Sequence, residues 1–413
     1  MKGYILINLI IFKLFSVCDG LCIVPVADLL KKSAKEIFGE SVDIKEAYRS
    51  LLMGDVNCKR EYQILYNELV EIIQVCNEEV QIRVPHIIYF DPEQNLYTNV
   101  YWTLKENLAC LFDLISANVD LNKIPEEISF NQEIIPDKSI IVLKEPIITD
   151  ENLAFSAGTR FKIAFKNYDH AVYCYFLNKN LEQKVLKIPR YKINFYEDKD
   201  IDERILDFVK LLRGWANLKF GFIPYLYSGS SFIYPYFTDT ILERENDKTF
   251  YKDELEVYPY VGFDCSCIIS RGAQICNLPY FYKDSITLER NLEQLTNFSD
   301  LKNSDIIWFP GHVVIVSDVE NNLVLEARGY ASGFGRVHEC HINRMFGNIN
   351  SFYELFNAKK ENKKLKLLTK DGGLRYLIKD YKILSLKSGL YKEFKSLYNP
   401  VSQLDTSKCY RIN

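Results

Sequence analysis

Residues 262–276 read GFDCSCIISRGAQIC. A glycine, an aromatic residue and an acid lead into Cys265, and the apolar residues that follow recur at helical spacing. The stretch predicts a tight turn running into a helix, with Cys265 at the helix start. Such a terminus carries partial positive charge and unpaired N–H groups, which lower the pKa of a thiol. It also leaves the Cys265 N–H beside a developing oxyanion. Downstream come His312, in IIWFPGHVVIVSD, and Glu326, in LVLEA. A thiol, an imidazole and a carboxylate are the parts of an activated sulfur nucleophile. His312 would take the thiol proton and return it to the leaving amine, and Glu326 would orient the ring.

Other readings of these residues are blander. A cysteine is more often a small core residue than a nucleophile, but Asp264 and Ser266 flank this one, and a buried strand would avoid both. The chain has only five histidines, and His312 stands in an apolar run straight after Pro310-Gly311. A carboxylate at Glu326, facing inward from apolar neighbours, needs a partner, and His312 is the natural one. An outward-facing Glu326 on a solvated face is the alternative. Cys267 and Cys276 belong to the predicted helix and read as core.

The rest of the composition narrows the class. The chain has 413 residues, 48% of them hydrophobic and 26% charged, which suits folded, soluble domains, two to four in number. A net charge of −4 disfavours nucleic acid as a partner. The 28 tyrosines and 26 phenylalanines are expected in strands and cores, some lining a groove. Eleven cysteines, an odd count, show neither a disulfide framework nor a C-x-x-C pair.

Lys2, the apolar run YILINLIIF and Ser16 to Gly20 predict a secretory leader over residues 1–20. Val17 disfavours a lipid anchor at Cys18. No later stretch reaches the roughly 20 apolar residues of a membrane span.

Along the chain, 21–125 reads as β-rich with a helical insert, and 139–200 as a second β set around SIIVLKEPI, AGTRFKIAF, HAVYCYFL and KVLKIPRYKINFY, with turn residues such as Asp150-Glu151-Asn152 and Gly158 between them. Residues 201–358 begin with the amphipathic IDERILDFVKLLRGWANL and hold the candidate site. Two strands are expected from Leu301 to Ala327, joined by a bend at Asp318–Asn322. A tail of unassigned role covers 359–413. His338-Glu339-Cys340-His341 has the look of a metal cluster, but no second ligand pair accompanies it, so zinc is disfavoured. His86 and His170 read as ordinary strand or turn residues. The glycine–serine run YSGSS lacks the lysine of a phosphate cradle.

GFDCS at 262–266, PYLYSG at 224–229 and the PGHVVIVSD strand resemble the motifs of NlpC-type bacterial cell-wall endopeptidases, over roughly residues 205–355. VPVADL and QILYNELVEI, and AGTRFKIAF further on, are similar to bacterial SH3-like domains. The resemblance implies an α+β fold, a papain-like catalytic domain preceded by two small SH3-like barrels. It implies cleavage of peptidoglycan stem peptides between γ-linked D-glutamate and a diamino acid, with no metal or organic cofactor. Asp264 would then hold the amine of an N-terminal L-alanine, and Ser266 and Tyr225 would shape the pocket. The chain departs from the family at Cys267, where glycine is usual, at Ser228-Gly229 in place of a glycine pair, in an insert over 231–261, and in a third catalytic position filled by Glu326 rather than histidine. A silent wall-binding protein, or an acyl transferase or amidase on the same fold, are the competing functions.

Overall fold

The computed structural model describes residues 19–51, 58–128, 138–149, 153–167, 170–233 and 261–390. Most of the expected leader, the turn at 150–152, most of the insert and the last part of the tail lie outside these residues. The chain divides into two compact units, one built from residues up to 87 together with 98–197, the other from 88–97 with 198–393. Helices and antiparallel sheets are both present, as an α+β reading requires.

In the first unit seven strands pair in the order Arg60–Leu65, Val26–Leu30, Val100–Leu104, Glu79–Arg83, Leu69–Cys76, Asp19–Cys22, Leu108–Cys110. The charged stretch expected to be helical forms two short helices, Ala34–Phe38 and Ile44–Ser50, capped by Ser33 and Asp43. A second sheet orders Gln183–Pro189, Ala171–Leu177, Arg160–Asn167, Ile140–Leu143 and Ile193–Phe195. The two β sets share core. Tyr66 sits among Phe155, Phe161 and Val172, and its hydroxyl donates to the Leu177 carbonyl at 2.8 Å.

The second unit carries the candidate site. Helix α1 (Ile201–Ala216) starts at Asp200, whose carboxylate accepts from the Glu203 N–H in a capping box. Its apolar stripe, Phe208, Val209, Leu212 and Trp215, is buried. Helix α2 (Cys267–Ile275) is buried on every side, its polar Ser270 and Arg271 included, and both of these are hydrogen-bonded. The two pack closely at Gly272, where an added Cβ would lie 2.7 Å from Leu212 Cδ2 and 3.0 Å from Phe208 Cε2. Gly272→Val is therefore expected to destabilise the unit by about 1–3 kcal/mol through overpacking. Chemical denaturation of the two proteins checks this, and an unchanged midpoint would refute the tight crossing.

Strands β1 (Ile306–Phe309), β2 (His312–Asp318), β3 (Leu323–Arg328), β4 (Arg336–His341) and β5 (Lys382–Ser385) form one antiparallel sheet in the order β5-β1-β2-β3-β4, with Glu293–Gln294 on the β5 edge. Where two strands were expected between Leu301 and Ala327 there are three. Pro310 and Gly311 form a two-residue turn between paired Phe309 and His312. Gly311 has φ +78, which glycine adopts without strain. The bend at 318–322 does join β2 to β3, with Asn322 at φ +53. One face of the sheet packs on helix α3 (Phe352–Lys360) through Val314, Val316, Val324, Phe352 and Leu355. Strand β5 shows that part of the 359–413 stretch belongs to this sheet. Among the described residues no helix is long and apolar enough to cross a membrane.

Candidate functional site

The segment GFDCS is held by close backbone approach. Gly229 and Gly262 face each other, and a Cβ on Gly229 would lie 2.6 Å from the Gly262 carbonyl oxygen, one on Gly262 2.5 Å from that of Pro224. The Leu226 N–H donates to the Phe263 carbonyl, and the Asp264 N–H to that of Gly229. Phe263 stacks on Trp215 with ring centroids 5.0 Å apart. Arg271, buried in α2, donates from Nε to the Ser230 carbonyl at 3.0 Å and ties the preceding strand to the helix. Position 267, Cys where the resemblance predicts Gly, is wholly buried at the first turn of α2.

Cys265 lies in the turn before α2, not on it. Asp264 Oδ1 accepts from the Ser266 N–H at 2.9 Å, the Ser266 hydroxyl at 3.1 Å and the Cys267 N–H at 2.6 Å. The acid thus takes up the N–H groups that were expected to favour a thiolate. Burial, and then the Asp264 carboxylate beside it, push the Cys265 thiol up. The backbone of Val313, the residue after His312, pulls the other way. The expectation of a thiol acidified by the helix terminus is corrected on this point. Burial and the neighbouring carboxylate thus work against a thiolate at position 265.

His312 opens β2 and is partly exposed. The register sets Ile315 opposite Leu325, so His312, Glu326 and Arg328 fall on one face of the sheet. His312 Nε2 lies 2.7 Å from Glu326 Oε2. Glu326 is fully buried and faces inward, as the apolar run around it implied. Burial alone would raise its carboxyl, but the Arg328 guanidinium and the rings of His312 and His338 outweigh burial and hold it well below the usual carboxylate range.

Arg328 and His338 were not assigned to the site from sequence. Arg328 Nε lies 2.9 Å from Glu326 Oε1 and 3.1 Å from Oε2. His338 pairs directly opposite Glu326, with its Nε2 3.2 Å from Oε1. The HECH run separates as a strand must. His338 turns to Glu326, Glu339 to Arg213 Nε at 2.8 Å, Cys340 packs against the core, and His341 Nδ1 accepts from the Asn343 N–H. Among the described residues no group of three or more His, Cys, Asp or Glu could hold a metal ion.

Of the residues expected to shape a pocket, Tyr225 lies near Cys265 and Asp264. Burial, then the charges of Cys265 and Asp264, push its phenol up. Its ring lies over Gly329, whose added Cβ would stand 3.3 Å from Cε1. Ser266 is buried and spends its hydroxyl on Asp264. Asp264 itself is half-buried, with burial raising its carboxyl against the lowering effect of the Cys267 and Ser266 N–H groups and the Lys283 charge.

No protein-family model matches the sequence, and no curated protein matches it. The chain is similar in structure to NlpC/P60 proteins. One is an NlpC/P60 family protein from Bacillus cereus, 14% identical over 81% of this chain and 96% of that one, with a TM-score of 0.46. Another is an NlpC/P60 endopeptidase from Photobacterium damselae subsp. piscicida, 11% identical over 91% and 74%, TM-score 0.44. A third is NlpC2 from Trichomonas vaginalis, 12% identical over 79% and 94%, TM-score 0.30.

Proposed function

We propose that the second unit is a cysteine endopeptidase, with Cys265 as nucleophile, His312 as general base and acid, and Glu326 as the group that orients the imidazole. The observation that carries this reading is the 2.7 Å contact between His312 Nε2 and a fully buried Glu326 carboxylate. Nε2 is thereby committed to the carboxylate. Nδ1 is left to accept the thiol proton as sulfur attacks a carbonyl carbon, and later to protonate the leaving amine. Water then hydrolyses the thioester with His312 again as base.

On this reading α2 and the sheet β5-β1-β2-β3-β4 form a papain-like core, and the stretches 21–125 and 139–200 are SH3-like modules. The substrate is a peptidoglycan stem peptide cut at the γ-D-glutamyl–diamino acid bond, so the protein works in the periplasm or outside the cell. Asp264, which keeps part of its surface exposed, receives the ammonium of an N-terminal L-alanine. Tyr225 and Ser266 shape the wall around it. An N-terminal amine placed there by a half-buried carboxylate predicts a sharp dependence on that amine.

The test is mass spectrometry of defined muropeptides incubated with the full chain. Peptides with a free L-alanine amine should be cut once, and N-acetylated ones slowed about 100-fold, the scale of losing one buried charged hydrogen bond. Equal cleavage of both would remove Asp264 from substrate recognition. No cleavage of either would favour a silent wall-binding protein.

A further inference from the structure

Glu326 is bound from three sides, and only one of its contacts is needed to orient His312. A carboxylate offers two oxygens and about four lone-pair sites. Oε2 faces His312 Nε2, while Arg328 Nε reaches both oxygens and His338 Nε2 stands 3.2 Å from Oε1. Arg328 is itself fixed from outside the pair. Its NH1 donates to the Leu368 carbonyl at 2.9 Å, and its guanidinium carbon lies 5.2 Å from the centre of the Phe334 ring. That same ring stacks flat on His338, with centroids 4.0 Å apart and planes 3° from parallel. Phe334 thus touches both groups that hold the carboxylate.

The chemistry of a buried carboxylate makes this arrangement consequential. Left alone away from water, such a group takes up a proton rather than stay charged. A protonated Glu326 would carry an O–H and could donate it to His312 Nε2. The ring would then bear its own hydrogen on Nδ1, the nitrogen that must be empty to accept the thiol proton. An ionised Glu326 can only accept, so it demands an N–H on Nε2 and leaves Nδ1 free.

We propose that Arg328 is a positioning residue that, by keeping Glu326 ionised, selects the His312 tautomer in which Nδ1 is the base. The proposal rests on the assignment of His312 as base under the function above, but its primary readout does not. The Leu368 carbonyl and the Phe334 ring hold Arg328 in place, and His338 Nε2 stands 3.2 Å from Oε1, the oxygen that does not face His312.

The experiment is nitrogen-15 NMR of the full chain with labelled histidine, which distinguishes the two ring tautomers directly, alongside the rate at which iodoacetamide alkylates Cys265. Wild-type protein at neutral pH should show His312 with its hydrogen on Nε2. Arg328→Gln should bring in the Nδ1–H form and slow alkylation by about tenfold or more, as one unit in the controlling pKa would. Arg328→Lys, which keeps the charge at a buried site, should retain the Nε2–H form. An unchanged tautomer in folded Arg328→Gln overturns the proposal. Should that variant fail to fold, Arg328→Lys decides: the Nδ1–H form there, with the charge still present, overturns it equally. Absent muropeptide hydrolysis in wild type would sink the peptidase reading alone and leave the tautomer result standing.

Discussion

Cys265→Ala is expected to abolish hydrolysis of stem peptides, with a fall on the order of 10⁵–10⁶ in turnover, the scale of removing a covalent nucleophile. The loss is this large because the remaining groups have no substitute for sulfur. His312, held at Nε2 by Glu326, could at best activate a water. Binding should survive. Asp264 keeps its three hydrogen bonds at the start of α2 whatever stands at 265, and the Gly229–Gly262 approach does not involve the thiol. A small buried side chain shortened by one atom costs about 1 kcal/mol, so the fold persists. Mass spectrometry of muropeptide digests and a binding isotherm on the same variant separate the two quantities. Unchanged product release by Cys265→Ala would end the cysteine peptidase reading.

How far the site could be read from the chain depended on whether each contact was local. The turn at GFDCS, the helix that follows and the amphipathic α1 are set by short-range pattern, and the expected spans agree with the structure to within a few residues. The pairing of His312 with Glu326 was expected only because an inward carboxylate needs a partner; the register that brings the two together could not be fixed from the sequence. The third strand was missed because IIWF and HVVIVSD form one apolar run, in which Pro310-Gly311 is a turn signal of only two residues. Arg328 and His338 had a signal too. Residues 326 and 328 alternate onto one face, and a return strand places 338 beside them. Reading HECH as a local cluster hid this, since neighbours in a strand point in opposite directions. The burial of Cys265 and the capture of the helix N–H groups by Asp264 lay beyond sequence, as does the pairing of β5 with β1. Each depends on packing between segments distant in the chain.

Glu326→Gln separates what the carboxylate does for chemistry from what it does for the fold. A glutamine oxygen placed where Oε2 stands can still accept from His312 Nε2. Turnover should therefore fall far less than in Cys265→Ala. Stability should fall much more. Arg328 is almost wholly buried, and neutralising its partner leaves an uncompensated charge, a loss of about 3 kcal/mol by comparison with other broken buried pairs. The pH dependence follows from the depressed carboxyl of Glu326. A carboxyl held below its unfolded value adds stability above the unfolded pKa of about 4.3, and that contribution is lost as pH falls toward the folded value. The gap between wild type and Glu326→Gln should thus be full at neutral pH and close in acid. Denaturant melts of both proteins from pH 7 downward measure it. A gap that stays constant through pH 4 and below would mean that Glu326 is not the anionic partner of Arg328 in the folded chain.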